Sequence, residues 1–181
     1  MAAAGARVVG LDVDPAMLRT AAAAGIGVAF AAGRVQALPF PDARYDLVVA
    51  VTVLCFVPDA GAAFREIARV LRPGGAVVIG ELGRWNLWAL RRRVRGWLGN
   101  RLWRAARFRT GHELRQLAAD AGLEVRSLRG AVFYPPVAAL ARAMAPFDQR
   151  LGRHTTCTAA FLALRAEKPA QVARAAASSL P

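Results

Sequence analysis

From Leu47 to Val57 the chain is almost wholly apolar and rich in valine. A half-exposed strand would alternate apolar and polar positions, so this run predicts a strand buried on both faces of a parallel sheet. Pro58-Asp59 breaks it, and Ala63, Phe64, Ile67, Ala68 and Leu71 then recur at helical spacing. Pro73 predicts the end of that helix, Gly74-Gly75 a turn, and Ala76 to Ile79 the start of another strand. The pattern is a strand–helix–strand unit of an α/β sheet.

The same rules place the remaining elements. Arg7 to Leu11 reads as a short buried strand, ending in Asp12-Val13-Asp14-Pro15. Pro15 suits the first position of a helix with Asp14 as its N-cap, and that helix runs through Met17, Leu18 and Ala21 to Ala24 before Gly25. Val28 to Ala31 is a second short strand and Leu38-Pro39-Phe40-Pro41-Asp42 a loop. Further on, Thr110 caps a helix carrying Leu114, Leu117, Ala118 and Ala121, with Glu113 placed for a capping box. Gly122 ends it and Leu123-Glu124-Val125 begins a strand. Phe133-Tyr134-Pro135-Pro136 is a rigid aromatic loop, a helical segment continues through Met144, and Ala159 to Leu164 is the final edge or penultimate strand. Residues 1–167 are expected to form one domain, and Lys168 to Pro181, rich in Ala and Ser, a disordered tail.

Composition changes this picture little. The 181 residues suffice for one domain with a substantial core. No apolar run reaches the roughly twenty residues of a membrane-spanning helix, and Met1-Ala2-Ala3-Ala4-Gly5 does not read as a signal peptide, so a cytoplasmic protein is expected. Cys55 and Cys157 lack metal-ligand spacing to His112 or His154, which points to structural thiols and no metal. The net charge of +13 invites a nucleic-acid or membrane reading. Of the 25 basic residues, however, only Lys168 is lysine, a bias of GC-rich coding that makes the position of the charge more telling than its sum.

Asp12 is the first candidate for chemistry. An acid at the carboxyl end of a strand can accept both ribose hydroxyls of a nucleotide in the crevice beyond the sheet. It can equally be a solvated turn residue, while Asp14 reads only as a cap.

Five segments now stand in register: Val9 to Leu18, Leu38-Pro39-Phe40-Pro41-Asp42, Tyr45-Asp46-Leu47-Val48-Val49, Val57-Pro58-Asp59 and Leu71-Arg72-Pro73-Gly74-Gly75. Together they resemble the class I S-adenosylmethionine-dependent methyltransferases, in the small-molecule subgroup called methyltransferase type 11. The resemblance implies a Rossmann-like α/β sheet with helices on both faces and S-adenosyl-L-methionine as cofactor. At matching positions it implies that Asp12 holds the ribose, Val13 and Met17 flank the adenine, and Val35 and Gln36 lie along its edge. Ala50, Val51 and Thr52 would line the methionine side. Because the cofactor supplies the reactive methyl, no dedicated base is obligatory and the catalytic residues stay open.

Three departures accompany it. The family's first strand and its acid–Gly-x-Gly-x-Gly loop are absent from the sequence, and Met1 to Ala6 match only the end of the helix that follows that loop. A late-assigned start or a fragment is the expected explanation. The missing strand would lie between the strand ending at Asp12 and that of Asp46 to Val51, leaving a gap of about twice the 4.8 Å strand spacing. Its absence places cofactor binding, and hence activity, in question for this chain. Arg34 stands where the family often has an acid, and Cys55 or Phe56 where the subgroup often has His.

The segment Arg84 to Arg109 holds all four Trp and nine Arg with no acid. Leu87, Leu90, Val94 and Leu98 share one helical face, Trp97 lies beside it, and Arg92 and Arg95 are expected on the opposite side. In falling order the segment reads as a lid whose Trp85 and Trp88 wall an acceptor, a helix packed by its apolar face, a peripheral membrane contact, or an RNA surface, with nucleic acid ranked last. Tyr134 is either a hydrogen-bond donor in that acceptor pocket or a packed loop residue.

The leading expectation is methyl transfer to a small-molecule or lipid-like acceptor. The first rival is a non-catalytic module of the same fold that binds a partner or a membrane surface. The other rival is a dinucleotide enzyme, against which the Leu71–Gly75 turn and the Leu-Pro-Phe loop both argue.

Overall fold

A computed structural model describes residues 5–25 and 27–170. The elements are β1 (Val9–Asp12), α1 (Pro15–Ala23), β2 (Ala29–Ala32), β3 (Tyr45–Val51), α2 (Ala60–Val70), β4 (Leu71–Leu82), α3 (Leu87–Trp97), α4 (Arg101–Ala105), α5 (Gly111–Asp120), β5 (Glu124–Ala131), α6 (Ala138–His154) and β6 (Phe161–Glu167). The fold is a Rossmann-like α/β arrangement. Among the described residues no helix is long and apolar enough to cross a membrane. The expected tail beyond residue 170, and Met1 to Ala4, lie outside the described residues. Lys168 itself is anchored, donating through Nζ to the Ala68 and Leu71 carbonyls at 2.8 Å each.

The strands form two separate ladders. β1 and β2 pair in parallel, and a second sheet has the order β3-β4-β6-β5. β3 and β4 are parallel, whereas β6 runs antiparallel between β4 and β5, which makes it the penultimate strand. No ladder joins β1 to β3. They face each other across a cleft of about 350 Å³ lined by Gly10, Leu11, Val35, Val49 and Ala50, where the sequence left room for a strand.

The core lies on one face of the larger sheet, under α2 and α5. Val77 and Ile79 of β4 and Leu162, Leu164 and Ala166 of β6 meet Phe64, Ile67 and Leu114 there. β3 is not buried on both faces as its valine run suggested. Its register puts Val48 and Ala50 on the core face, but Leu47, Val49 and Val51 are exposed on the other. No described helix covers that face of β3, so burial is decided by neighbours rather than by the strand's own hydrophobicity. The strand is also shorter than its apolar run. Leu54–Phe56 is a 3₁₀ turn with Leu54 and Cys55 fully buried.

β4 starts earlier than expected, at Leu71, and takes the Arg72-Pro73-Gly74-Gly75 turn into the strand as an irregularity. The pairing slips from Tyr45↔Leu71 to Leu47↔Ala76. Gly74 sits at φ +78°, which disfavours a side chain, and a Cβ on Gly75 would press on the Tyr45 carbonyl oxygen.

Candidate active site

The Leu38–Asp42 loop is held by α2. Arg69 donates to the Leu38 and Phe40 carbonyls at 3.0 and 2.8 Å and pairs with Asp42 at 2.6 Å and Glu66 at 2.8 Å. Glu66 in turn accepts from the Leu38 amide at 2.7 Å, and hydrogen bonds from Arg69 hold its carboxyl below the usual range. This clamp sets where Val35 and Gln36 leave the turn before the loop.

At the carboxyl end of β1, Asp12 Oδ1 accepts from the Asp14 amide at 2.9 Å and Asp14 caps α1 through the Ala16 amide at 2.8 Å. The Asp12 carboxylate is exposed, and the side chains of Val13 and Met17 beside it are more than half exposed, at 62% and 55%. Val35 and Ala50 line the β1–β3 cleft, while Asp12, Val13, Met17, Gln36, Val51 and Thr52 lie outside its walls. Gln36 is half-buried in the turn after Arg34. Thr52 donates its amide to the Gly80 carbonyl at 2.7 Å and holds φ at +53°, an uncommon conformation for a β-branched residue. Strain of this kind at a strand end marks positions that neighbouring structure over-determines.

A second cavity, of about 530 Å³, opens just beyond the end of β4. Trp85, Trp88 and Tyr134, three residues assigned to an acceptor pocket from sequence, all line it, together with Phe133, Arg84 and Arg93. Trp88 Nε1 donates to the Tyr134 carbonyl at 2.9 Å, which ties α3 to the aromatic loop. The bond engages Tyr134's backbone, so its phenol is free of that role. Asp148 fixes the loop's other side by accepting from the Val132 and Phe133 amides at 2.8 and 2.9 Å. The two cavities share no lining residue.

Apart from both cavities' walls is a buried pair that the sequence did not single out. Glu81 is fully buried, its Oε1 accepting from the Leu54 amide at 3.0 Å and its Oε2 without a hydrogen-bond partner. Arg109 Nη1 lies 3.7 Å from Oε2 and donates to the Leu54 carbonyl at 2.8 Å. Burial pushes the Glu81 carboxyl up to about 7 against the pull of Arg109 and the nearby amides. Burial, with Glu81 next, pushes the Cys55 thiol up to about 12, leaving it protonated and inert. An acid inside the apolar run Ala76 to Leu82 was the available signal for Glu81.

α3 does not pack on the domain by its apolar face, which was one of the readings open for this segment. Asn86 caps it through the Ala89 amide at 2.7 Å and ties it down by donating to the Gly83 and Ala159 carbonyls. Arg92 lies opposite the apolar stripe, as expected, and that side faces inward, with the guanidinium over Trp88 and Trp103 at 5.8 and 5.2 Å. The apolar residues take the outward side. Among the described residues no cluster of three or more His, Cys, Asp or Glu could hold a metal.

Comparison with known proteins agrees with this geometry. Residues 1–79 match the family described as methyltransferase domain. An uncharacterized protein of Mycobacterium tuberculosis is 41% identical over 127 residues, covering 70% of this chain and 44% of its own length. The ubiquinone biosynthesis O-methyltransferase of a Methylobacterium species is 33% identical over 146 residues, covering 75% of this chain and 58% of its own. The chain thus spans about half the length of these relatives. A solved SAM-dependent methyltransferase of Thermotoga maritima superposes with a TM-score of 0.67 at 22% identity, covering 89% of this chain and 72% of the other. The fold is that of the class I S-adenosylmethionine-dependent methyltransferases. Within that likeness, it is residues 1–79 that match the methyltransferase-domain family the sequence motifs resemble.

Proposed function

We propose that the protein takes part in S-adenosylmethionine-dependent methyl transfer to a small-molecule or lipid-like acceptor. The observation that supports this most is the convergence of Trp85, Trp88 and Tyr134, from two distant segments, on one aromatic cavity beyond the carboxyl end of β4. That is where open α/β sheets place ligands.

The residues present fit the nucleoside side of the cofactor. Asp12 offers an exposed carboxylate at a strand end for the ribose hydroxyls, and Val13 and Met17 offer apolar surface for the adenine. Val35 and Gln36 would border its edge, and Ala50, Val51 and Thr52 the methionine side. That last side has no glycine-rich backbone in this sequence. When bound, the cofactor supplies a methyl group activated on a sulfonium. The chain's own part is to orient the acceptor against aromatic walls and keep water away.

One observation favours a second reading, a non-catalytic module of this fold: β1 and β3 share no ladder and flank an open cleft. Calorimetric titration separates the two. Under the methyltransferase reading S-adenosylmethionine binds, and Asp12→Ala weakens it by about 1–3 kcal/mol through lost charge-assisted hydrogen bonds. No binding at millimolar cofactor would overturn that reading for this chain, and unchanged affinity in the variant would remove Asp12 from the site.

A further inference from the structure

An amphipathic helix on a globular domain ordinarily turns its apolar stripe inward and its charges to water. The α3–α4 hairpin does the reverse. Leu87, Leu90, Val94, Trp97 and Leu98 of the α3 turn region and Leu102 of α4 are all exposed, with Trp97 at 77% and Leu98 at 82%. The inward side holds the small residues Ala89 and Gly96 and the stacked Arg92.

This orientation is locked. Gly96 lies so close to α4 that a Cβ there would come within 3.0 Å of the Arg104 amide nitrogen, and Asn100 caps α4 through the Trp103 amide at 3.2 Å. Asn86 fixes the start of α3 on the Gly83 and Ala159 carbonyls. Rolling the helix to bury its leucines would break each of these contacts. Arg91 and Arg95 border the outward stripe, Arg101 and Arg104 continue the charge on α4, and Arg84 to Arg109 contains no acid.

We propose that the α3–α4 face seats the protein on a bilayer surface carrying anionic lipid, with the leucines and Trp97 entering the acyl boundary and the arginines at the headgroups. At eleven residues α3 is about 16 Å long, too short to span and suited to lie in the interface plane. Charge complementarity selects the occupant, because a ring of arginine without acids matches an anionic headgroup layer. RNA would draw on the arginines but leave an aliphatic stripe that no base can stack on. Leu87 and Leu90 line both this face and the aromatic cavity, so the cavity mouth opens toward the lipid. Delivery of a lipid-like acceptor through that mouth rests on the proposed function; docking does not.

Vesicle co-sedimentation of the full chain without cofactor tests docking. Vesicles of phosphatidylcholine with phosphatidylglycerol should bind the protein, pure phosphatidylcholine much less, with binding weakened by salt and tryptophan emission shifted to the blue. The double variant Leu90→Glu/Leu98→Glu should lose about tenfold or more in vesicle affinity. Arg115→Glu on α5 changes net charge equally and should keep most of it. Circular dichroism melting establishes that both variants fold. Equal loss in the two variants, no binding to anionic vesicles, or tighter binding to an RNA oligonucleotide would overturn the proposal. Self-association abolished by the leucine substitutions would overturn it in favour of a second copy. Because no cofactor is present, failure here is distinct from failure to bind S-adenosylmethionine.

Discussion

Glu81 has an ordinary pKa of 4.5 and titrates near 7 in the folded chain, so the folded state holds an extra proton between those values. Its contribution to stability is complete below about 4.5 and is lost as pH rises through about 7, a swing of roughly 3 kcal/mol. Glu66 and Glu113, both held below their usual value, act in the opposite sense, losing their contribution as pH falls. Glu81→Gln keeps an acceptor for the Leu54 amide without the titration. Against the parent it should melt near the same temperature at pH 4.5 and higher above pH 7, measured by thermal denaturation across that range. A constant difference would show that Glu81 does not carry the slope. The two thiols should differ in reactivity: Cys157 is exposed and should react with a maleimide in the native state, whereas Cys55, buried beside Glu81, should react only after unfolding.

Among the elements, β3 and α3 share a lesson. Hydrophobic spacing found both without fixing which faces meet water: β3 was expected to be buried on both sides, and the apolar stripe of α3 was left open between lid, packing and membrane readings. β3 presents Leu47, Val49 and Val51 to solvent because nothing described covers that face. Val49→Lys should therefore change stability by no more than about 0.5 kcal/mol and reduce aggregation. Ala50→Lys, on the core face, should cost roughly 3 kcal/mol or more by burying a charge. Comparable denaturation midpoints for the two variants would refute the register. The capping signals fared better because they are local. Asp14 and Thr110 cap the helices that follow them as expected, with Thr110 and Glu113 completing the capping box, and Asp59, read from sequence only as a strand break, caps α2 as well.

On the scale of the whole molecule, the β1–α1–β2 unit is joined to the larger sheet without a shared ladder, and α1 buries none of its residues. Local stability follows buried apolar contact and interior hydrogen bonding. Amides of β1 and β2 should thus exchange through an opening of lower free energy than those of β4 and β6, as native-state hydrogen exchange can read. S-adenosylmethionine, if it bridges β1 and β3, should slow exchange in β1 and leave β6 unaffected. Equal protection of the two units would mean that they unfold together.

Local chemistry by itself determined the order of the elements, the caps and the loop turns, since each depends on residues only a few positions apart. It also determined the family motifs and, through them, the positions of Asp12 and Ala50. Tertiary structure decided what distant segments do to one another. It brought Trp85 and Trp88 to Tyr134, buried Glu81 beside Arg109, opened the cleft between β1 and β3, and turned the leucines of α3 outward. The last of these turns on Gly96 meeting α4 and Arg92 stacking between two tryptophans, contacts that no periodicity along the helix encodes.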